Sequence, residues 1–219
     1  MRLVLLGYLL LAAICGIGQS NQSKPPFIPQ ARDRFVMDLH NDFLMRAPEN
    51  LNVRPWSPGF NAALMFDYPI QKSFFSIAFG VGFSSFNLHT KGFFYRTYDN
   101  KIQFIELPTT TYEKNKLSVN FVEVPVELRI RTKSESPFKI YLGGTIGYAV
   151  NTHTKVIDID GKRKFFDIWG LEKLRYCGTV RVGKGRIAAY GFFSFSPLFR
   201  LENAPLWNPS GIGLSFYLI

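Results

Sequence analysis

Residues 121–131 read FVEVPVELRIR. From Val122 onward, Val122, Val124, Val126, Leu128 and Ile130 share one face of an extended chain, and Glu123, Pro125, Glu127, Arg129 and Arg131 share the other. A strand in a soluble sandwich seldom sets a row of charges against an unbroken apolar stripe. Deciding which of the two rows is inside decides the fold.

Residues 74–88, FFSIAFGVGFSSFNL, supply the second half of the answer. Phe75, Ile77, Phe79, Val81 and Phe83 alternate with Ser76, Ala78, Gly80, Gly82 and Ser84. A soluble barrel would turn the bulky row inward and leave a poor exterior of small residues. A membrane barrel inverts this: the bulky rows face lipid, and small and charged residues share a narrow lumen. Eight strands enclose a space that side chains can just fill. Long Arg and Glu side chains then need small neighbours, and Gly80, Gly82, Gly143, Thr145 and Gly147 provide them.

The rest of the chain repeats the two-residue period and has no convincing helical stretch. Eight strands are expected, at about 34–44, 58–68, 74–88, 117–131, 138–151, 173–182, 186–196 and 210–219. Strands near ten residues, tilted, cross a bilayer core. Connections 69–73, 132–137 and 183–185 are short, whereas 45–57, 89–116, 152–172 and 197–209 are long. Short turns at one end and long loops at the other are the habit of outer-membrane barrels. The expected fold is therefore all-β, an eight-stranded antiparallel up-and-down transmembrane barrel. Residues 93–106, with a turn signal at Asp99-Asn100, can form an extra hairpin above the membrane. In 117–131 the apolar positions change from odd (Leu117, Val119) to even at Phe121-Val122, which predicts a β-bulge there. Strand seven, with aromatics in both rows, does not declare its inner face.

Composition agrees. Charged residues are 19%, below the usual quarter, and aromatics reach 16%. Residues 1–18 have Arg2, an apolar run, and Gly16 and Gly18 before Gln19, the pattern of a removable secretory signal peptide. Ile14 is bulkier than a lipidation site at Cys15 would use. Residues 19–33 are polar and proline-rich and read as a flexible lead-in, leaving 34–219 as the barrel domain. Removing Arg2 lowers the formal net charge from +10 to +9, and Cys177 is the one cysteine left, a small buried residue in this reading. No disulfide can then hold the domain together.

Burying lone charges in so narrow a lumen costs several kcal/mol. Asp38, Asp67, Glu123, Glu127, Arg129, Arg131, Lys139, Arg175 and Arg181 all fall on the face read as inward, and are expected to form one cross-lumen ion network that blocks conduction. Trp56, Trp169 and Trp207 each lie in a long loop just before a descending strand, which predicts an aromatic girdle at the outer interface.

The signal peptide, FVEVPVELRIRTK, GFNAALMFDYPI, SFFSIAFGVGFSS and the closing GIGLSFYLI resemble the PorT-like outer-membrane β-barrel proteins of Bacteroidota. The resemblance spans nearly all the mature chain. Its motifs are strand patterns, so it implies architecture and outer-membrane location more strongly than activity. Some relatives take part in type IX protein secretion and gliding, which implies outer-membrane or periplasmic secretion components as partners. The last strand resembles the signal that barrel-assembly machinery reads, with Ile219 in place of the common terminal Phe.

Catalytic chemistry is sparse. DLHND, with His40 between Asp38 and Asp42, is a candidate proton relay or weak metal site, or a set of luminal hydrogen bonds. Ser84, Ser85, His89, His153 and Thr154 sketch a lipid-hydrolysing pair with no third member. DIDGKRK (158–164) lacks the glutamate that completes a calcium loop and reads as an exposed turn around Asp160-Gly161. No cofactor or metal is expected. Residues 89–116 carry Lys91, Arg96, Lys101, Lys114 and Lys116 against Asp99, Glu106 and Glu113, an excess suited to outer-membrane lipid or lipopolysaccharide phosphates. The dispersed basic residues and exported location argue against nucleic acid. A non-enzymatic structural or accessory barrel is the expected function, with an outer-leaflet lipid-modifying enzyme or a small passive pore as alternatives.

Overall fold

A computed structural model of the chain describes residues 33–218, apart from 47–52, 71–73, 97, 99–101, 107–111, 133–135, 159–160, 167–169 and 201–206. Alternation in the sequence becomes eleven strands: β1 (Phe35–Met45), β2 (Pro58–Pro69), β3 (Phe75–Thr90), β4 (Gly92–Arg96), β5 (Ile102–Glu106), β6 (Tyr112–Arg131), β7 (Phe138–Asp158), β8 (Gly161–Phe166), β9 (Leu174–Lys184), β10 (Ile187–Ser194) and β11 (Asn208–Tyr217). Eight of them close on themselves in the order β1, β2, β3, β6, β7, β9, β10, β11, with β11 pairing back onto β1. Every wall pairing is antiparallel. The remaining strands stand at one end: β4 and β5 form the expected extra hairpin, and β8 pairs with the far end of β7.

The bulky rows face outward. Phe75, Ile77, Phe79, Val81 and Phe83 of β3 are exposed, as are Val122, Val124, Val126 and Leu128 of β6. From Phe75 to Phe83 this row runs about 27 Å along the strand, the reach of a tilted membrane-crossing segment. Gly185, in the β9–β10 turn, has φ +60°, a left-handed conformation that L side chains rarely adopt.

The bulge sits where the sequence places it but for another reason. The β6–β7 register slips by one between Asn120 and Phe121. Asn120 pairs with Asn151 and Phe121 with Ala149, so the extra residue is Val150 on β7. β6 itself keeps its faces: against β3 its register is unbroken from Phe83–Val122 to Leu88–Leu117. What changes at Phe121-Val122 is the surroundings. Below it the exterior is apolar and the interior polar. Above it Leu117, Val119 and Phe121 point inward and are buried, while Asn120 and Lys116 point outward. The ladder between β3 and β6 lapses at Gly80-Val81 opposite Val124-Pro125, which locates the N–H that Pro125 lacks.

One further expectation is corrected. Residues 152–172 are not one long loop, because β7 continues to Asp158 and turns into β8. Its residues look loop-like because, beyond the apolar belt, an outward face meets water. The long connection expected around 197–209 is present between β10 and β11, and its described ends pack inward. Leu198 and Phe199 are buried, the Leu198 amide donates to the Trp207 carbonyl at 2.8 Å, and Leu171 bridges Phe199.

The leader at 1–18, the lead-in up to residue 32, Trp169, the Asp99-Asn100 turn and Ile219 lie outside the described residues, as does Asp160.

Candidate functional site

The inward rows of β1, β2, β6, β7 and β9 bring the predicted charges together near the end where β6 finishes and β7 begins. Glu127 is the hub. It accepts from Arg129 Nε at 2.7 Å and is also bonded by Arg181. Arg181 reaches across the lumen to Asp38 at 2.7 Å, and the Ser215 hydroxyl donates to the same carboxylate. Arg129 lies 3.9 Å from Asp67, which Arg131 also binds. The Arg129 side chain is 0% exposed, so its charge depends on these neighbours. Aromatic faces complete the shell. Arg129 lies over Tyr141 at 4.8 Å, Arg181 over Tyr190 at 4.7 Å and Lys139 over Tyr217 at 4.2 Å.

One member was missed by the sequence reading. Asp33, assigned there to the flexible lead-in, is buried. Its carboxylate meets Lys139 Nζ at 2.6 Å and Arg131 at 3.4 Å, and accepts from the Tyr141 hydroxyl at 2.7 Å. Alternation from β1 would turn residue 33 outward. Its backbone adopts φ 60°, in the left-handed region, and that turn redirects the side chain into the lumen. A signal was available: five predicted luminal cations faced four acids, and Asp33 is the fifth.

The charges form two groups rather than one. Asp38, Arg181, Glu127, Arg129, Asp67, Arg131, Asp33 and Lys139 link in a chain. Arg175 and Glu123 pair separately, nearer the long-loop end, where Arg175 stacks 3.8 Å from the Phe121 ring centroid and donates to Ser84 Oγ at 2.6 Å. The glycines leave room for the charges: a Cβ on Gly143 would sit 2.9 Å from Glu127 Cγ, and one on Gly147 3.1 Å from Glu123 Cγ.

Above the charges the lumen is apolar. Phe86, Leu88, Leu117, Val119, Phe199 and Trp207 belong to one buried cluster. Trp207 therefore departs from the girdle expectation. It is only 3% exposed, packed edge-on against Phe199 with centroids 5.8 Å apart. Trp207 joins Leu198 and Phe199 in the buried cluster, where apolar surface is removed from water. Trp56, by contrast, is 70% exposed. Tyr190 and Phe192 resolve the ambiguous strand by facing inward, Cys177 is buried among them, and Phe193 and Phe195 lie on the outer face.

His40 joins the two halves. Its Nδ1 lies 2.8 Å from Asp42 and its Nε2 3.1 Å from Asn61 Oδ1, with the Phe192 ring 5.2 Å away. Asp42 also accepts the Asn87 amide at 2.7 Å. Among the described residues no group of three or more His, Cys, Asp or Glu is placed to hold a metal ion. The candidate hydrolytic residues are dispersed. Ser84 points inward to Arg175, whereas His89 and His153 belong to the outward face, and His153 is paired with Asn151 at 3.2 Å.

A family profile described as "Outer membrane protein beta-barrel domain" matches residues 36–200. Comparison with curated proteins gives no match. Comparison with solved structures gives none either.

Proposed function

The chain belongs to the outer membrane protein β-barrel domain family, and from that premise we propose that it is a non-conducting structural or accessory barrel rather than a pore or an enzyme. The observation that carries this reading is the doubly filled lumen. An ion chain occupies one half and a buried apolar cluster the other. A passive pore needs a continuous aqueous path, and both fillings oppose one.

The finer reading rests on the strand patterns of FVEVPVELRIRTK and SFFSIAFGVGFSS, which resemble PorT-like barrels of Bacteroidota. It makes the protein an accessory of type IX secretion or of surface assembly, exported by a leader cleaved after Gly18, with other outer-membrane or periplasmic components as partners. Two measurements test it. The purified protein in planar bilayers is expected to show no steady conductance, and a stable open channel would establish the pore instead. Affinity purification of the intact protein from its native outer membrane is expected to bring secretion or assembly components with it. Recovery alone, together with lipid turnover that depends on an outer-rim residue, would favour the enzyme.

A further inference from the structure

Three strand pairings, two in the wall and one onto β8, place four basic residues side by side on the outward face at the long-loop end. His89 of β3 is opposite Lys116 of β6, Lys116 is opposite Lys155 of β7, and Lys155 is opposite Lys164 of β8. Like charges directly opposite across antiparallel strands repel. Among the described residues no carboxylate is in ion-pair contact with any of the three lysines. Burial and this repulsion act together on Lys116 and on the adjacent His153. Partial burial, and then Lys155, lower the pKa of Lys116, against a weaker opposite pull from Asp42. Burial, and then Lys164, Lys116 and Lys155, lower that of His153.

The row's height is informative. Phe83, Val122 and Tyr148 form the last outward row that is apolar across β3, β6 and β7, with the exposed bulge residue Val150 just above it. Ser85, Asn120 and Asn151 follow, then Asn87, Ser118 and His153 with the exposed Phe166 of β8 beside them, then the basic row. Six residues of strand separate the apolar edge from the lysines, about 20 Å along the chain and roughly 15 Å along the axis of a tilted barrel. That is beyond the polar layer of a phospholipid, about 5–8 Å deep, and within the saccharide layer of a larger glycolipid. Long lysine stems can also bend toward the membrane.

We infer that Lys116, Lys155 and Lys164 form a binding row for phosphate groups carried on the saccharide of an outer-leaflet glycolipid. Each ammonium would meet a phosphate oxygen, and the anion would remove the cross-strand repulsion that the sheet alone leaves in place. The site is independent of the lumen, so it goes beyond the structural role proposed above.

The test uses full-length protein in phosphatidylcholine nanodiscs, mixed with rough lipopolysaccharide, either native or dephosphorylated with hydrofluoric acid. Glycolipid retained on affinity capture is measured. Wild type is expected to retain the native form and not the dephosphorylated one. Lys116→Gln, Lys155→Gln and Lys164→Gln should each weaken retention about fivefold, and the triple variant about a hundredfold. The triple Lys→Arg variant should restore it. The residues lie outside the apolar belt, so the heat-dependent gel shift of a folded barrel should persist, and the single variants serve if the triple one fails to fold. Equal retention of both glycolipid forms by wild type, or undiminished retention by the Gln variants, would overturn the inference. Inorganic phosphate that displaces the glycolipid at equal molar concentration would overturn the assigned source.

Discussion

The two halves of the lumen are filled by opposite chemistries. Between Asp67 and Asp38 the interior is ionic, and Arg129 there is as buried as any core residue. Between Phe86 and Trp207 it is as apolar as the core of a soluble protein. The outer faces are inverted in step: Val126 and Phe79 are exposed beside the ionic half, whereas Asn120 and Lys116 point outward beside the apolar half. The comparison teaches that the inside of this barrel is set by what the outside meets. Where lipid takes the bulky residues, alternation leaves polar ones for the lumen. Where the wall rises into water, the same alternation returns apolar residues to the inside.

Removing the hub of the ionic half is the strongest way to test that contrast. Glu127→Ala leaves Arg129 and Arg181 without a shared partner and should destabilise the barrel by about 3–5 kcal/mol. Urea unfolding in lipid vesicles would measure it, and wild-type stability would mean that water reaches these charges. The apolar half should respond to volume instead. Leu88→Ala should cost about 2–5 kcal/mol, through lost burial and a residual cavity. A cost near zero in the same assay would show that the upper cluster is loosely packed.

The outer boundary offers a sharper pair. Val126→Arg, within the belt, should cost about 2–4 kcal/mol, whereas Asn120→Arg, on the same face above it, should cost about 0–1 kcal/mol. Equal costs would remove the inversion at Phe121-Val122. The smallest effect is expected where a whole ion pair gives way to apolar residues. The double variant Glu123→Leu/Arg175→Met should shift stability by no more than about 1 kcal/mol, because both desolvation costs vanish with the attraction. A loss of several kcal/mol would show that the Arg175–Glu123 pair is structurally indispensable, despite its apolar neighbours Phe121 and Phe192.

Much of this was legible in the residues themselves. A side-chain period of two, with Phe75 to Phe83 bulky and Ser76 to Ser84 small, settles which row faces lipid, because only one assignment gives both rows a suitable solvent. The same period identified nine of the luminal charges, and loop lengths told the two ends of the barrel apart. Three features needed the tertiary structure. Asp33 enters the lumen through a left-handed backbone turn, which alternation cannot anticipate. The inversion in β6 looks in sequence like a change of face, yet it is a change of surroundings along a continuous strand, and only the β3 register separates the two. Trp207 shares its loop position with the tryptophans expected in a girdle, but its ring is buried edge-on against Phe199. Local pattern determines which way a side chain points along a regular strand. Where the chain turns, or where the medium outside changes, the side chain's destination depends on residues distant in sequence.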